Sequence, residues 1–240
     1  MVYNPTEVFL GNFTPNDGTI DFYLRVSSLI NSESVVLDLG AGRAAWYEDD
    51  NCNTRKTIRN LMNKSKELIA ADIDEAVLKN KASHHQVLLD ENFHNSYNNY
   101  FDIIVCDYVL EHVEDKSQFY EMINSKLKPG GWFCSRTPHK YNYISIASRL
   151  SANKNHLSIL RYLQPSRKII DVFPTFYKLN TLSELRTKFN NYNCRSFIYR
   201  TEPSYYFNSK FIYTLQHVMH RFMPLTLCGN IFSFLQKHDL

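Results

Sequence analysis

Five short apolar runs alternate with more polar segments along the first 139 residues of the chain. Runs of this kind are typical of parallel strands that are buried on both faces of a sheet. The predicted strands are VVLDL (35–39), ELIAADI (67–73), QVLLD (86–90), FDIIVCD (101–107) and GWFCSR (131–136). The helices predicted around them are residues 19–31, 54–65, 74–81 and 115–127, and a Pro-Gly-Gly turn is predicted at 129–131. This alternation favours an α/β fold with a doubly wound, mostly parallel sheet.

The second part of the chain, residues 140–240, alternates less regularly. Its predicted elements are a mixed helical region at about 140–165, a helix at 181–190, a strand at 194–201 and a last strand at 230–237. They complete a predicted sheet of seven strands, with helical elaboration in the C-terminal part. Because neither a repeat nor a Gly/Ser linker divides the sequence, we expect a single domain over residues 1–240.

One further helix, predicted at residues 208–223, carries a wide apolar stripe and few charges. Such a stripe is usually buried against the sheet of its own domain, and burial is the first interpretation. Lys210 and Arg221 lie beside the stripe, so peripheral docking on an anionic membrane surface is the alternative.

Small or charged residues end the predicted strands. Doubly wound sheets bind their ligands beyond the carboxyl ends of the strands, near the point where the strand order reverses. The chemistry is therefore expected at the following strand ends: Gly40, Asp72, Asp90, Asp107 and Arg136.

The composition, with 44% apolar and 21% charged residues, is that of a folded globular protein. No apolar run approaches the roughly 18 residues of a membrane span, and the first residues lack a signal-peptide pattern, so a cytoplasmic location is expected. The five cysteines are scattered without a C-x-x-C pair, and the histidines do not fall at a recurrent ligand spacing. A metal site is therefore not expected.

The charges are distributed unevenly. Residues 1–135 carry 12 basic and 20 acidic side chains, a balance of −8, whereas residues 136–240 carry 15 and 4, a balance of +11. Within residues 140–168 there are six cations and no acid. An anionic partner near this stretch is the natural expectation.

The segment VVLDLGAGRAA (35–45) combines a strand with two glycines at which backbone can approach a ligand closely. Gly40, Gly42 and Ala45 satisfy the G-x-G-x-x-G/A fingerprint of dinucleotide-binding proteins, whose ribose-binding acid follows about 20 residues later. Asp72 follows Gly40 by 32 residues, which fits that fingerprint poorly.

Together with four later segments, this loop resembles the class I S-adenosylmethionine-dependent methyltransferases, and in particular a bacterial methyltransferase-domain family. The matching segments are VVLDLGAGRAA (35–45), AADID (70–74), the end of the third strand at Asp90, FDIIVCDYVLEHVED (101–115) and LKPGGWFCSRTPH (127–139), with DVFPTFYKLNT (171–181) resembling a subset of these proteins. The chain departs from the family at Ala44, where a third glycine is common, and in the longer loop at 46–54.

The resemblance implies S-adenosylmethionine as cofactor, held by residues 1–139, with residues 140–240 binding the acceptor and completing the sheet. The glycine loop would cradle the amino acid part, Asp72 the ribose hydroxyls and Asp90 the adenine. The implied cofactor residues are Asp38, Gly40, Ala41, Gly42, Asp72, Ile73, Asp90, Asp107 and Tyr108. For Asp72 the alternative is a helix cap, and for Asp90 it is a solvated loop acid.

The predicted reaction is O-methylation of an anionic small molecule, a nucleotide sugar or a glycan or glycolipid intermediate. A histidine near neutral pKa is the residue best suited to accept a hydroxyl proton, and His139 is the first candidate with His112 second. Either could instead only stabilise the backbone. The candidate substrate-binding residues are Arg136, Lys140, Tyr141, Tyr143, Arg167 and Lys168. The alternatives for them are a solvated basic face and ordinary packing.

Three other functions remain open from the sequence. An NAD-dependent oxidoreductase shares the sheet and the glycine loop, and a nucleic-acid methyltransferase would suit the basic second part, although no N-P-P-Y signature is present and nucleic acid is not the favoured partner. A non-catalytic methyltransferase-like module would bind the cofactor without turnover. The oligomeric state is not predicted.

Overall fold

An eight-stranded sheet organises the computed structural model, which describes residues 3–151 and 174–239. The strands are β1 (Val35–Leu39), β2 (Glu67–Asp72), β3 (His85–Leu88), β4 (Phe101–Asp107), β5 (Leu127–Pro138), β6 (Tyr192–Cys194), β7 (Phe197–Arg200) and β8 (Gly229–Lys237). Their order is β3-β2-β1-β4-β5-β8-β6, with β7 also pairing with β8. The pairs from β3 to β5 are parallel, and β8 is antiparallel to its neighbours. The predicted doubly wound, mostly parallel α/β fold is confirmed.

The eight strands occupy the seven predicted positions, because the strand predicted at 194–201 is interrupted. Cys194 pairs with Leu235 and Phe197 with Phe232, so the register is the same on both sides of the gap. β6 and β7 are therefore two parts of one strand position beside β8.

Nine α-helices connect the strands within the described residues. They are α1 (Gly18–Ser27), α2 (Ala45–Asp49), α3 (Asn53–Arg59), α4 (Glu91–Asn95), α5 (Lys116–Lys126), α6 (Tyr143–Ser151), α7 (Leu182–Lys188), α8 (Lys210–Phe222) and α9 (Leu225–Cys228). Short 3₁₀ helices lie at Pro5–Val8, Met62–Lys64, Glu75–Lys79 and Leu110–His112. Side-chain caps set several helix starts, for example Asp17 before α1 and Asp115 before α5.

Two predicted helices, 54–65 and 74–81, were too long. The first ends at Arg59, and the second is only a 3₁₀ helix. Asn60 and Asn80 each accept a hydrogen bond from the backbone N–H two residues later, at 3.0 and 2.8 Å. In each case the side chain satisfies a backbone N–H that the helix would otherwise have used, and the helix ends there.

The turn predicted at 129–131 lies inside β5. Phe101 pairs with Leu127 but Ile103 with Trp132, so β5 carries extra residues opposite β4. Gly130 has a positive φ of 72° within this bulge, a conformation that glycine adopts without steric cost.

The sheet is covered on both faces. One cluster of buried residues includes Leu37, Ile104 and Phe133, and the other includes Phe22 of α1 and Phe232 of β8. The cysteines are all unpaired thiols, and Cys106 and Cys134 are fully buried in the core. β8 contributes to both clusters, so the second part of the chain completes the core of the first.

The prediction that the stripe of the helix at 208–223 is buried against the sheet was wrong. Five of its apolar side chains are half or more exposed on α8, with Phe211 at 77% and Phe222 at 79%. Tyr213 and His220 instead form the buried face. The helix turns a different side inward from the one its apolar stripe indicated.

Candidate active site

The glycine loop after β1 has backbone conformations that favour glycine. Gly40 and Gly42 have φ values of 74° and 50°, and Ala44 also lies in the left-handed region at 52°. A Cβ atom on Gly40 would collide with Cγ2 of Val109, whereas one on Gly42 would meet nothing within 4 Å. Gly40 is therefore required for close packing, and Gly42 faces open space at the edge of the sheet.

Asp72 at the end of β2 is joined to this loop. Its Oδ2 accepts a hydrogen bond from the Gly42 N–H at 2.9 Å, and its Oδ1 accepts one from the Asp74 N–H at 3.0 Å. The N–H groups of Gly40 and Ala41 donate to the Ala71 carbonyl, at 2.7 and 3.2 Å. The loop amides thus hold the loop against β2. A carboxylate has about four acceptor positions, so Asp72 keeps capacity for two more hydrogen bonds.

Asp38 lies one residue before the end of β1. Burial raises its pKa to about 7, and the negative charges of Asp107 and Asp72 act in the same direction against the opposing charge of Arg59. The carboxyl group is thus poised to change its ionisation near neutral pH, and a cation bound beside it would favour the charged form.

Asp107 and Arg136, at the adjacent ends of β4 and β5, form a buried bidentate ion pair. Arg136 Nε donates to Asp107 Oδ1 and Nη2 donates to Oδ2, both at 2.7 Å. Tyr23 O–H donates to Oδ2 at 3.2 Å. Burial alone would raise the pKa of Asp107, but the charge and hydrogen bonds of Arg136 lower it overall. Asp107 is therefore ionised, and buried side chains of the protein itself bind its carboxylate.

The predicted role of Arg136 as a substrate-binding residue needs correction. Its side chain is only 3% exposed, and its remaining nitrogen, Nη1, donates to Thr19 Oγ1 at 3.0 Å. The guanidinium also lies over the Tyr108 ring, 4.7 Å from the centroid. Because all three nitrogens have partners inside the protein, Arg136 organises the site and has no free edge for an anion.

Tyr108 follows β4 with a left-handed φ of 60°, an uncommon conformation for a residue with a bulky side chain. Its O–H accepts a hydrogen bond from Asn230 Nδ2 of β8 at 2.7 Å, and the residue is 43% exposed. The ring thus lies at the carboxyl ends of the strands, where it contacts the Arg136 guanidinium and is hydrogen-bonded to β8.

Arg59 is a site residue that the sequence did not indicate. Its guanidinium lies over the Trp46 ring at 4.7 Å and over the Tyr23 ring at 5.4 Å, with Nη2 3.6 Å from Asp107 Oδ2. Its Nε is buried without a hydrogen-bond partner. The only signal in the sequence was a cation near the end of a predicted helix, and the chain folds that cation toward the acids at the ends of β1 and β4.

Two further candidate cofactor residues stand at the exposed rim. Ile73, directly after β2, is 72% exposed. Asp90 caps α4, since its Oδ1 accepts from the Phe93 N–H at 2.9 Å, and this bond lowers its pKa. Asp90 is thus a helix cap, a role that the sequence had not indicated for it, and its side chain is open to solvent.

The two candidate histidines occupy different environments. His139 is 4% exposed, its Nδ1 accepts from the Tyr141 N–H at 3.2 Å, and burial lowers its pKa despite a bond to the backbone of Thr226. These contacts describe a neutral histidine that stabilises the backbone. His112 is half-buried, and its Nδ1 lies 2.7 Å from the Pro174 carbonyl, so Nδ1 must be the protonated nitrogen.

The other candidate substrate residues are only partly brought together. Lys140 Nζ donates to Glu184 Oε1 at 2.9 Å, with both side chains about one quarter exposed. Tyr141 is 51% exposed, whereas Tyr143 packs on the His220 ring at 5.6 Å. Arg167 and Lys168 lie outside the described residues. Within residues 3–151 and 174–239, no group of three or more His, Cys, Asp or Glu side chains could hold a metal ion.

Glu111 lies in the short 3₁₀ helix after Tyr108 and is buried, and its carboxyl group accepts a hydrogen bond. Thr137 O–H donates to its Oε2 at 2.8 Å, and Asn180 Nδ2 donates to Thr137 Oγ1 at 2.6 Å. Burial raises the pKa of Glu111 to about 7. This acid therefore links the ends of β4 and β5 to the start of α7.

The Glu111 pKa predicts a pH dependence of stability. A folded-state pKa above the unfolded one means that the folded protein holds the proton longer, so stability falls as pH rises from about 4.5 to 7. Glu111→Gln should reduce that slope by up to about 1.4 kcal/mol per pH unit. Urea unfolding between these pH values measures it. Glu114→Gln is the control, and an unchanged slope in the Glu111 variant would contradict the buried-acid assignment.

Residues 16–195 match the family model of a methyltransferase domain. No curated protein matches the chain. Three solved structures illustrate the similarity of fold. A SAM-dependent methyltransferase from Archaeoglobus fulgidus is 16% identical, with 91% of this chain and 92% of that chain covered and a TM-score of 0.52.

The second structure, N-methyltransferase NodS from Bradyrhizobium japonicum, is 14% identical, with both chains covered to 100% and a TM-score of 0.52. The third is a chain in the complex of the Haloferax volcanii Trm112 methyltransferase activator with a methyltransferase. It is 13% identical, with 93% of this chain and 92% of that chain covered and a TM-score of 0.56. At these identities the similarity concerns the fold.

Proposed function

The chain belongs to the methyltransferase domain family, and from this premise we propose that it methylates a hydroxyl oxygen of an anionic acceptor. It is a class I enzyme that uses S-adenosylmethionine as its cofactor. Membership in this family sets aside the NAD-dependent oxidoreductase and the non-catalytic module. The acceptor class that we propose is a small molecule, a nucleotide sugar or a glycan or glycolipid intermediate.

The observation that carries the proposal is the convergence of three acids and one cation at the carboxyl ends of adjacent parallel strands. Asp72 and Asp107 end β2 and β4, Asp38 lies one residue before the end of β1, and Arg59 lies beside them. This donor set suits a ligand that carries an ammonium group, a carboxylate and a pair of ribose hydroxyls. The residues present therefore fit S-adenosylmethionine.

Each end of the cofactor has a partner in this arrangement. Asp72 retains acceptor positions for two ribose hydroxyls, and Ile73 offers an exposed apolar side chain for the adenine ring. Arg59, whose buried Nε lacks a partner, is suited to the carboxylate of the amino acid part. Asp38, beside the glycine loop, is suited to its ammonium group. Gly40, Ala41 and Gly42 leave the space that these ends need.

The pKa of Asp38 makes the proposed ammonium contact testable. A bound ammonium favours the ionised carboxylate, so the affinity for S-adenosylhomocysteine should rise with pH by up to about tenfold per unit and level off above about 7. Asp38→Asn should remove this dependence. Calorimetry between pH 5.5 and 8, in buffers of different ionisation enthalpy that also reveal proton release on binding, measures both effects. An equal pH dependence in the variant would exclude Asp38 from the contact.

The bound cofactor supplies a methyl group on a sulfonium, which is already strongly electrophilic. The protein therefore needs to align the acceptor and exclude water, and such positioning is worth on the order of 7–11 kcal/mol. Tyr108 and Tyr141 present exposed rings for this purpose, and the buried Asp107–Arg136 pair holds Tyr108 in place. No covalent intermediate on the enzyme is required.

For a hydroxyl acceptor, we assign His112 as the general base in preference to His139. His112 is less buried than His139, and the Pro174 carbonyl fixes its Nδ1–H tautomer. His139 is buried and uses Nδ1 to accept a backbone hydrogen bond. The order of the two sequence candidates is therefore reversed.

The proposal of an anionic acceptor rests on charge. Residues 136–240 have a balance of +11, and they supply the segments that follow β5 at the carboxyl edge of the sheet. Lys140 is the described cationic candidate that solvent reaches, and its partly exposed pair with Glu184 can exchange for a bound anion. We accordingly assign residues 1–139 to the cofactor and 140–240 to the acceptor and to completion of the sheet.

Within the described residues no helix is long and apolar enough to cross a membrane. A cytoplasmic location remains our proposal. Any contact with a membrane would be peripheral.

The decisive experiment is incubation of the protein with methyl-labelled S-adenosylmethionine and extracts of its source cell, followed by identification of the labelled product. A labelled hydroxyl of an anionic metabolite or glycan supports the proposal, and a labelled nitrogen or carbon overturns the O-methyl assignment. Label in RNA or DNA would favour the nucleic-acid methyltransferase, and filter binding at low and high salt would then test it.

A further inference from the structure

Helix α8 turns a continuous apolar row toward solvent. Its members recur at helical spacing on one side of the helix, and each is at least half exposed. They are Phe211 at 77%, Leu215 at 50%, Val218 at 51%, Met219 at 50% and Phe222 at 79%. Phe207, just before the helix, is 53% exposed and lengthens this apolar surface.

A polar row with positive charge runs beside the apolar row. Lys210, Thr214, His217 and Arg221 follow one another at spacings of four, three and four residues and are all exposed. No acidic residue lies between positions 210 and 222. The helix therefore presents apolar side chains and cations to solvent together.

The inner face of α8 is fixed, so the apolar row does not turn inward by rotation of the helix. Tyr213 O–H donates to Glu202 Oε2 at 2.8 Å, and His220 Nδ1 lies 3.1 Å from the Thr201 carbonyl. The His220 ring also contacts the Tyr143 ring at 5.6 Å. These contacts hold the apolar row outward.

The helix lies at the same edge of the sheet as the candidate active site. α8 leads through α9 into β8, whose second residue, Asn230, pairs with Pro138 at the carboxyl end of β5 and donates to Tyr108 O–H. A partner docked on α8 would therefore lie next to Tyr108 and the carboxyl end of β5, where we propose that the acceptor binds.

We propose that α8 docks on an anionic membrane surface, with the apolar row inserted at the level of the lipid headgroups and the cationic row against their negative charges. Phenylalanine and leucine on one face with lysine and arginine on the adjoining one is the pattern of helices that lie in a bilayer interface. Charge decides between this occupant and a second copy of the chain. Two copies of α8 would bring their cations together without an acid on either helix to compensate them.

The test is flotation of the full chain with vesicles of phosphatidylcholine alone and of phosphatidylcholine with phosphatidylglycerol. The protein should float with the anionic vesicles only, and less in high salt. Phe211→Ser with Phe222→Ser should weaken binding by about tenfold or more for each residue. Lys210→Glu with Arg221→Glu should weaken it by at least about fivefold for each.

Leu24→Ser is the matched control, because Leu24 is 54% exposed on α1 and should leave binding unchanged. Absence of binding to anionic vesicles, equal binding to neutral ones, or a dimer that dissociates in the phenylalanine variant would each overturn the proposal. The readout requires neither cofactor nor turnover, so its failure is separate from failure of the proposed methyl transfer.

Discussion

Arg136→Met is expected to lower the free energy of unfolding by about 3–5 kcal/mol, because it leaves the Asp107 carboxylate buried without its partner. The ion pair is bidentate, with two bonds of 2.7 Å, and Arg136 is 3% exposed. Water does not replace the lost guanidinium at such a site, and the support of the Tyr108 ring is lost as well. Urea unfolding of the purified variant measures the change.

A second variant tests whether the cost arises from the unpaired charge. Asp107→Asn combined with Arg136→Met removes both charges and should recover a large part of the loss, since replacing a whole buried pair is far less costly than breaking it. Lys140→Met is the matched control, because its pair with Glu184 is about one quarter exposed and should contribute at most about 1 kcal/mol. Equal losses for Lys140→Met and Arg136→Met would refute a structural role for the buried pair.

Asp72→Ala is expected to weaken the binding of S-adenosylhomocysteine by about 2–4 kcal/mol, through loss of two charged hydrogen bonds to the ribose. Part of the effect comes from the protein itself, because Asp72 also accepts the Gly42 N–H and so holds the glycine loop. Isothermal titration calorimetry measures the affinity, and thermal unfolding without ligand measures the contribution of the loop.

Two substitutions separate these contributions. Asp72→Asn keeps an amide oxygen for the loop but loses the charge, so it should retain most of the stability and lose much of the affinity. Asp74→Ala removes only the cap of the neighbouring 3₁₀ helix, where Asp74 accepts the Ala76 N–H at 2.8 Å. If Asp74→Ala weakened ligand binding as much as Asp72→Ala, the ribose assignment of Asp72 would be wrong.

The structure also changes the interpretation of the basic side chains in the second part of the chain. Of the four cations that the sequence offered for an anionic substrate, Arg136 is taken by Asp107 and Lys140 by Glu184. Lys210 and Arg221 are instead exposed beside an apolar row. Among these described cations, Lys210 and Arg221 therefore combine exposure with a neighbouring apolar surface, which is where we propose an anionic surface.

The sequence by itself determined the strands of the cofactor half and the order of its motifs. β4 begins and ends where the apolar run FDIIVCD predicted, and Gly40 and Asp72 lie at the strand ends where the chemistry was expected. These features are local, since a run of apolar residues fixes a strand, and alternating strands and helices fix where the strand ends gather.

The chemistry of individual side chains was decided only by the tertiary structure. Arg136 reaches Asp107 across 29 positions, and Arg59, the last residue of α3, lies 3.6 Å from the same carboxylate. Residue types and spacing identify which groups carry charge, but not which of them pair, because pairing depends on neighbouring strands that are distant in sequence.

The orientation of α8 shows the same limit. Its periodicity correctly located an apolar stripe, but the inner face was formed by Tyr213 and His220, which find hydrogen bonds at Glu202 and Thr201. A hydrophobic pattern determines which residues share a side of a helix. The side that meets the rest of the protein is decided by the partners that the folded chain provides, because burial and hydrogen bonding are gained only where those partners stand.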